Sequence, residues 1–200
     1  MKKIFGAMIT AAVMFLGTTL SAGTQEELQT MIRKAFTVGS EMSMDALTAM
    51  YADDAEIIKP DSARKAKDVF APSIAMLDAL KKGDLLAFAK AVATIQGQAL
   101  PAEAETKIKG MTAEQQKAAC ATITQKMYAQ MKAESDLRLK TLKFEAFKEE
   151  GNNAVVIAIS VNGDQWERTT FYFEKKEGKW KVISQESVYL PLEQKKAEAK

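Results

Sequence analysis

FYFEKKEGKWKVIS, from Phe171 to Ser184, is the stretch that decides the fold. Aromatic and aliphatic residues alternate with polar ones on both sides of Glu177-Gly178, the pattern of two antiparallel strands joined by a tight turn. Upstream, WERTTFYF (Trp166 to Phe173) follows a second hairpin turn at Asn162-Gly163, which in turn follows the apolar run AVVIAISV (Ala154 to Val161). Gly151-Asn152-Asn153 makes a third turn, after a segment in which Leu142, Phe144 and Ala146 alternate. The spacing predicts four strands between Leu137 and Leu190.

Parity sorts the two faces of that sheet. Across an even turn at Glu177-Gly178, Phe171 and Phe173 share a face with Trp180 and Val182. A two-residue turn at Asn162-Gly163 adds Ala154, Val156 and Ala158 to this face and leaves Arg168, Thr170, Tyr172 and Ile183 with Ile157 and Ile159 on the other; a three-residue loop would exchange the two sets. In the first arrangement, bulky aromatics at one end and alanines in the middle leave a concavity that helices fill or a ligand occupies.

The chain before Leu137 reads as helical. Thr24 and Glu27 have capping-box spacing ahead of Leu28, Met31, Ile32, Ala35 and Phe36, and a second helix from Ser43 carries Leu47, Met50 and Tyr51 toward the core. AEIIKP (Ala55 to Pro60) is a short strand stopped by Pro60. From Ser62 to about Asp136, Pro72, Gly83, Gly97, Pro101 and Gly110 divide a helical pattern into four or five pieces. Ile74, Leu77 and Leu80 form one stripe; Asp84 caps a helix bearing Leu85, Phe88, Val92 and Ile95. Thr112 and Gln115 form a capping box for a long helix lined by Cys120, Ile123, Met127 and Met131. Helices first and a curved antiparallel sheet last give an α+β domain. Its helices pack on a C-terminal sheet of four to five strands, and its helical middle is enlarged. The domain spans residues 23–192, helical over 24–136 and stranded over 137–190, and a charged tail follows at 193–200.

Composition limits what such a domain does. Lys2 and Lys3, the apolar run Ile4 to Leu16 and the small residues Ser21-Ala22 have the organisation of a secretory signal peptide, so export to a periplasmic or extracellular space is expected. The apolar run is shorter than the roughly 20 residues a membrane span needs, and no span is expected once residues 1–22 are removed. Of 28 basic and 26 acidic residues, removal of Lys2 and Lys3 leaves 26 of each. That balance gives no bias toward nucleic acid. A single cysteine, Cys120, precludes an intrachain disulfide and reads as a small core residue. The chain contains no histidine, which removes Ser-His and Cys-His nucleophiles, imidazole bases and His-ligated metal sites. No cofactor is expected.

LTAMYADDAEIIKPD (Leu47 to Asp61) together with ERTTFYFEKKEGKWKVIS (Glu167 to Ser184) resembles the nuclear transport factor 2-like superfamily, the cystatin-like cone. ALKKGDLLAFAKAV (Ala79 to Val92) and the same terminal hairpins are also similar to secreted bacterial lumazine-binding-like domains of unknown function. Both resemblances imply a cone with a pocket between the helices and the concave sheet. Enzymes of the superfamily use an Asp base with Tyr or protonated-acid donors, or a His and Asp pair; the absence of histidine rules out the second. The region from Ser62 to Asp136 is longer than the single helix usual there, and its helices either cap the pocket or fill it.

No catalytic constellation stands out. Asp53-Asp54 is suited to a paired carboxylate site or simply to ending a helix in water. Arg168, between Trp166 and Tyr172 at alternate positions of one strand, is suited to a carboxylate or phosphate; the alternative is an arginine lying along its neighbours in solvent. With Tyr51 and Trp180, these residues make the candidate ligand-binding set Tyr51, Trp166, Arg168, Tyr172 and Trp180. The function expected is a non-enzymatic domain that binds a small molecule or a protein partner. Two alternatives stand beside it: a lyase or isomerase using carboxylate and Tyr groups, and a homodimerising protein that pairs through its outer sheet face.

Overall fold

A computed structural model describes residues 22–37 and 41–192. The signal sequence and the charged tail lie outside these residues, apart from Ala22. The elements are α1 (Ala22–Phe36), α2 (Asp45–Met50), β1 (Tyr51–Lys59), β2 (Ser62–Lys65), α3 (Ala66–Lys82), α4 (Leu85–Ile95), α5 (Ala102–Lys109), α6 (Ala113–Thr141), β3 (Lys143–Glu150), β4 (Asn153–Asn162), β5 (Gln165–Lys176) and β6 (Lys179–Pro191). Six strands form one sheet in the order β2-β1-β6-β5-β4-β3, antiparallel except where β1 runs parallel to β6. The architecture is α+β, as the hairpin pattern predicts, with six strands in place of four or five.

Both added features lie in the stretch expected to be helical. β1 begins at Tyr51, earlier than the strand read at Ala55, and β2 is a four-residue polar edge strand. At the other boundary, α6 continues through Leu137 to Thr141, so the sheet segment starts at Lys143. Leu137-Arg138-Leu139-Lys140 is a run of good helix formers, and propensity carries the helix across it.

Helix ends follow local chemistry. The Asp84 carboxylate accepts from the Ala87 N–H at 2.9 Å, and Thr112 and Gln115 exchange both hydrogen bonds of a capping box. Thr24 does not cap: α1 is already helical at Ala22, and the Thr24 hydroxyl donates to Glu149 Oε1 at 3.1 Å, tying α1 to β3. Pro72 does not break α3. Its missing N–H leaves the Asp68 carbonyl without a helical donor, and Arg64 Nη2 sits 3.5 Å from that oxygen.

The hairpins set the face parity. Lys176 pairs with Lys179 around Glu177-Gly178, where both turn residues have positive φ, 52° and 78°. Asn162 pairs with Gln165, so the second turn is Gly163-Asp164, one residue later than expected but still even. Ala154, Val156, Ala158, Phe171, Phe173, Trp180 and Val182 therefore share the inner face and are buried in one core with Leu28 and Ile32 of α1. In β3 the register shifts between Phe144 and Ala146, so Phe147 packs inward and Ala146 is exposed.

The enlarged helical middle packs largely on itself. Leu80, Leu85 and Cys120 form a second core with Phe88, Ile108, Met111, Ile123 and Met127 around them. Ile74 and Ile95, read as core positions, are exposed. Among the described residues no helix is long and apolar enough to cross a membrane.

Candidate functional site: a cavity at the polar end of the inner sheet face

A register shift between Tyr172 and Phe173 creates the site. Below it, Phe173 pairs with Val182; above it, Tyr172 pairs with Ser184 and Phe171 with Gln185. One extra residue in β6 reverses its parity, so that Gln185, Ser187 and Tyr189 face inward although Trp180 and Val182 also do. The inner face thus runs from an apolar end into a polar one: Phe171, then Thr169 and Glu167 on β5, with Ser187 and Tyr189 opposite them.

A cavity of about 360 Å³ lies over this polar end. Its walls are Phe36 of α1, Leu47 and Met50 of α2, Val69 and Phe70 of α3, and Met131, Ser135 and Arg138 from the C-terminal half of α6. The extra helices therefore neither fill the cone nor seal it. The last three turns of α6 form one wall.

Glu167 is the most enclosed charge in the site, 7 % exposed. Arg138 Nη2 donates to its Oε2 at 2.5 Å and Asn162 Nδ2 donates to the same oxygen at 3.0 Å. The Tyr189 hydroxyl donates to Oε1 at 3.3 Å. Arg138 is held from its other side by the Phe36 ring, whose centroid lies 5.3 Å from the guanidinium carbon. Burial, and then the Glu167 charge, push the Tyr189 phenol above its ordinary value.

An uncharged chain of hydrogen bonds crosses the floor. The Tyr51 hydroxyl donates to Gln185 Oε1, Gln185 Nε2 donates to Ser187 Oγ at 3.1 Å, and the Ser187 and Thr169 hydroxyls are 3.3 Å apart. Tyr51 also meets Phe70 edge-on, with ring centroids 5.1 Å apart. Burial first, and the nearby Glu167 carboxylate second, push the Tyr51 phenol far above its ordinary value, so it remains a neutral donor. Lys59 and Glu134 line the cavity at exposed positions, and Glu134 accepts from Gln130 at 3.0 Å.

Of the five residues singled out from sequence, Tyr51 alone lines this cavity. Trp166, Arg168 and Tyr172 occupy even positions of β5 and project from the opposite face, where Arg168 Nε contacts Glu145 Oε2 at 2.7 Å and the Tyr172 hydroxyl donates to Glu186. Trp180 is in the apolar core, 3 % exposed, and its indole Nε1 has no hydrogen-bond partner among the described residues. Lys175 Nζ lies 5.5 Å from its ring centroid. The five do not form one site. Asp53 and Asp54 are exposed on β1, away from the cavity lining.

Glu167 and Arg138 are absent from the sequence-derived set. Two signals point to them: the odd positions of β5 run Phe173, Phe171, Thr169, Glu167, and the α6 stripe Met127, Met131 continues at helical spacing to Ser135 and Arg138. Among the described residues no group of His, Cys, Asp and Glu is placed to hold a metal ion.

No family model matches the chain, and no curated protein matches it. The solved structures to which it is similar include an NTF2-like protein of unknown function from Shewanella baltica OS155, at 11 % identity over 87 % of this chain and 99 % of that one, with a TM-score of 0.44. A protein of unknown function with a cystatin-like fold from Nostoc punctiforme PCC 73102 is similar at 11 % identity over 88 % of this chain and 97 % of that one, TM-score 0.43. An NTF2-like protein with a cystatin-like fold from Novosphingobium aromaticivorans is similar at 12 % identity over 83 % of this chain and 81 % of that one, TM-score 0.41.

Proposed function

We propose that this protein is an exported, non-enzymatic domain that binds a small molecule in the cavity over Thr169, Gln185 and Ser187. The observation that carries the reading is the cavity itself: about 360 Å³, walled by apolar side chains and floored by a small set of convergent polar groups. That combination is the usual make-up of a ligand site, at the small end of the roughly 300–1,000 Å³ range. Binding is favoured over acid-base catalysis because Glu167, the enclosed carboxylate, already accepts from Arg138, Asn162 and Tyr189. Those three bonds leave about one of a carboxylate's four acceptor positions to reach a substrate as a general base. Export is supported by Lys2, Lys3, the run Ile4 to Leu16 and the small residues before Gly23.

Native mass spectrometry of the protein purified from its own host tests the binding reading. The wild type should carry a bound mass that a cavity-filling Ser187→Leu variant loses while remaining folded. A ligand-free wild type, or a mass kept in the variant, overturns the proposal. Intact mass of the periplasmic or secreted form tests export and should place the mature N-terminus at Gly23; a full-length chain confined to the cytoplasm would refute it.

A further inference from the structure

Taking the cavity as the binding site, we infer that it selects an uncharged ligand: an apolar body carrying one hydroxyl or carbonyl group, with carboxylates and amines rejected. The argument starts from the charges. Arg138 and Glu167 are the ionic groups enclosed at the polar end, and they neutralise each other across 2.5 Å. Glu167 is further engaged by Asn162 and Tyr189, and Arg138 is packed against Phe36. Lys59 and Glu134, the other charged lining residues, are exposed and opposite in sign, so they add no net charge to the lining, and water screens each of them.

An entering carboxylate would have to share Arg138 with Glu167 at close range, and an entering ammonium would have to share Glu167 with Arg138. Either disrupts a pair whose charges have already lost most of their water, and an uncompensated charge there is costly. An uncharged oxygen meets no such obstacle. The chain Tyr51, Gln185, Ser187 and Thr169 is neutral throughout, and both its donors and its acceptors retain capacity: the phenol oxygen still accepts, and Gln185 Nε2 carries a second hydrogen beyond the one given to Ser187. Leu47, Met50, Val69, Phe70 and Phe171 cover the remainder of the ligand with apolar surface.

A matched probe set separates this inference from the reading beneath it. 2-Naphthol, 2-naphthoate and 2-naphthylmethylamine share one apolar body and differ in charge near neutral pH. Titrated into the wild-type protein and followed by amide shifts of Thr169, Gln185 and Ser187, naphthol should bind about tenfold or more tightly than either ion. In Glu167→Gln, Arg138 loses its counter-charge and naphthoate should become the tightest of the three. Equal or tighter binding of an ionic probe to the wild type overturns the charge selection and leaves the cavity reading intact. Failure of all three to move those amides overturns both. The wild-type ranking decides the matter even if Glu167→Gln does not fold.

Discussion

One face of β5 contains two different environments four residues apart. Phe173, 1 % exposed, sits in a dry core with Val156, Val182 and Trp180, while Thr169 looks into a cavity beside Ser187 and Gln185. Both lie on the same strand and the same side of the same sheet. The apolar end is covered by α1 and carries stability; the polar end is bridged by α2, α3 and the end of α6 and leaves room for a guest. The difference teaches that packing and open space are divided along the strands and not between the two faces, and the proposed binding role falls on the open end.

The division is broken most severely from the apolar end. Phe173→Ala removes a fully buried aromatic side chain and should cost about 3–5 kcal/mol in urea unfolding, through lost transfer energy and the cavity left behind. A loss under about 1 kcal/mol would mean that the apolar end is not the structural half.

The next effect comes from the ion pair that links α6 to the sheet. Arg138→Ala leaves the Glu167 carboxylate enclosed without its counter-charge and should cost about 3 kcal/mol. The double variant Arg138→Met, Glu167→Leu removes both charges and should recover most of that loss. If the double variant is as unstable as the sum of its singles, the pair is not coupled and α6 is anchored by packing alone.

These two ends were not equally legible in the sequence. The apolar half follows from alternation and two even turns: the structure has Gly163-Asp164 where the sequence suggests Asn162-Gly163, and parity survives because the shift keeps the loop at two residues. The polar half depends on the register shift beside Tyr172, and a bulge of that kind leaves no mark in composition or periodicity. Alternation run straight through β6 places Gln185 and Ser187 on the outer face. Arg168 has the sequence signature of a site residue, a charge among aromatics, yet its neighbour Glu167 is the one that faces inward, and an isolated glutamate in a strand reads as solvent-facing. β2 was hidden for another reason: its four residues, Ser62 to Lys65, have no apolar pattern to read.

A smaller effect probes the neutral floor. Tyr51→Phe removes the hydrogen bond to Gln185 and should cost about 1 kcal/mol near neutral pH. Its pH dependence is the sharper test. Because the folded-state phenol is raised above its ordinary value of 10.0, its contribution is fully present below that pH and is lost as pH rises past it. Wild-type stability should therefore fall in the alkaline range, and the fall should be shallower in Tyr51→Phe. It should not vanish, since burial also raises Tyr172 and Tyr189. Parallel wild-type and variant profiles would show that Tyr51 is not the enclosed donor.

The smallest expected effect lies on the face that holds three of the five sequence-derived candidates. Arg168 meets Glu145 across 2.7 Å with its side chain 41 % exposed, and neither residue lines the cavity over Thr169 and Ser187. Such a pair gains little, because water screens the attraction and two long side chains are ordered to make it. Arg168→Ala should shift stability by no more than about 0.5–1 kcal/mol and leave naphthol affinity unchanged. The same variant tests the anion site that the Trp166, Arg168 and Tyr172 pattern suggests. If calorimetry shows inorganic phosphate or a carboxylate bound by the wild type and lost in Arg168→Ala, the outer face holds a ligand site of its own, and function is not confined to the polar end of the inner face.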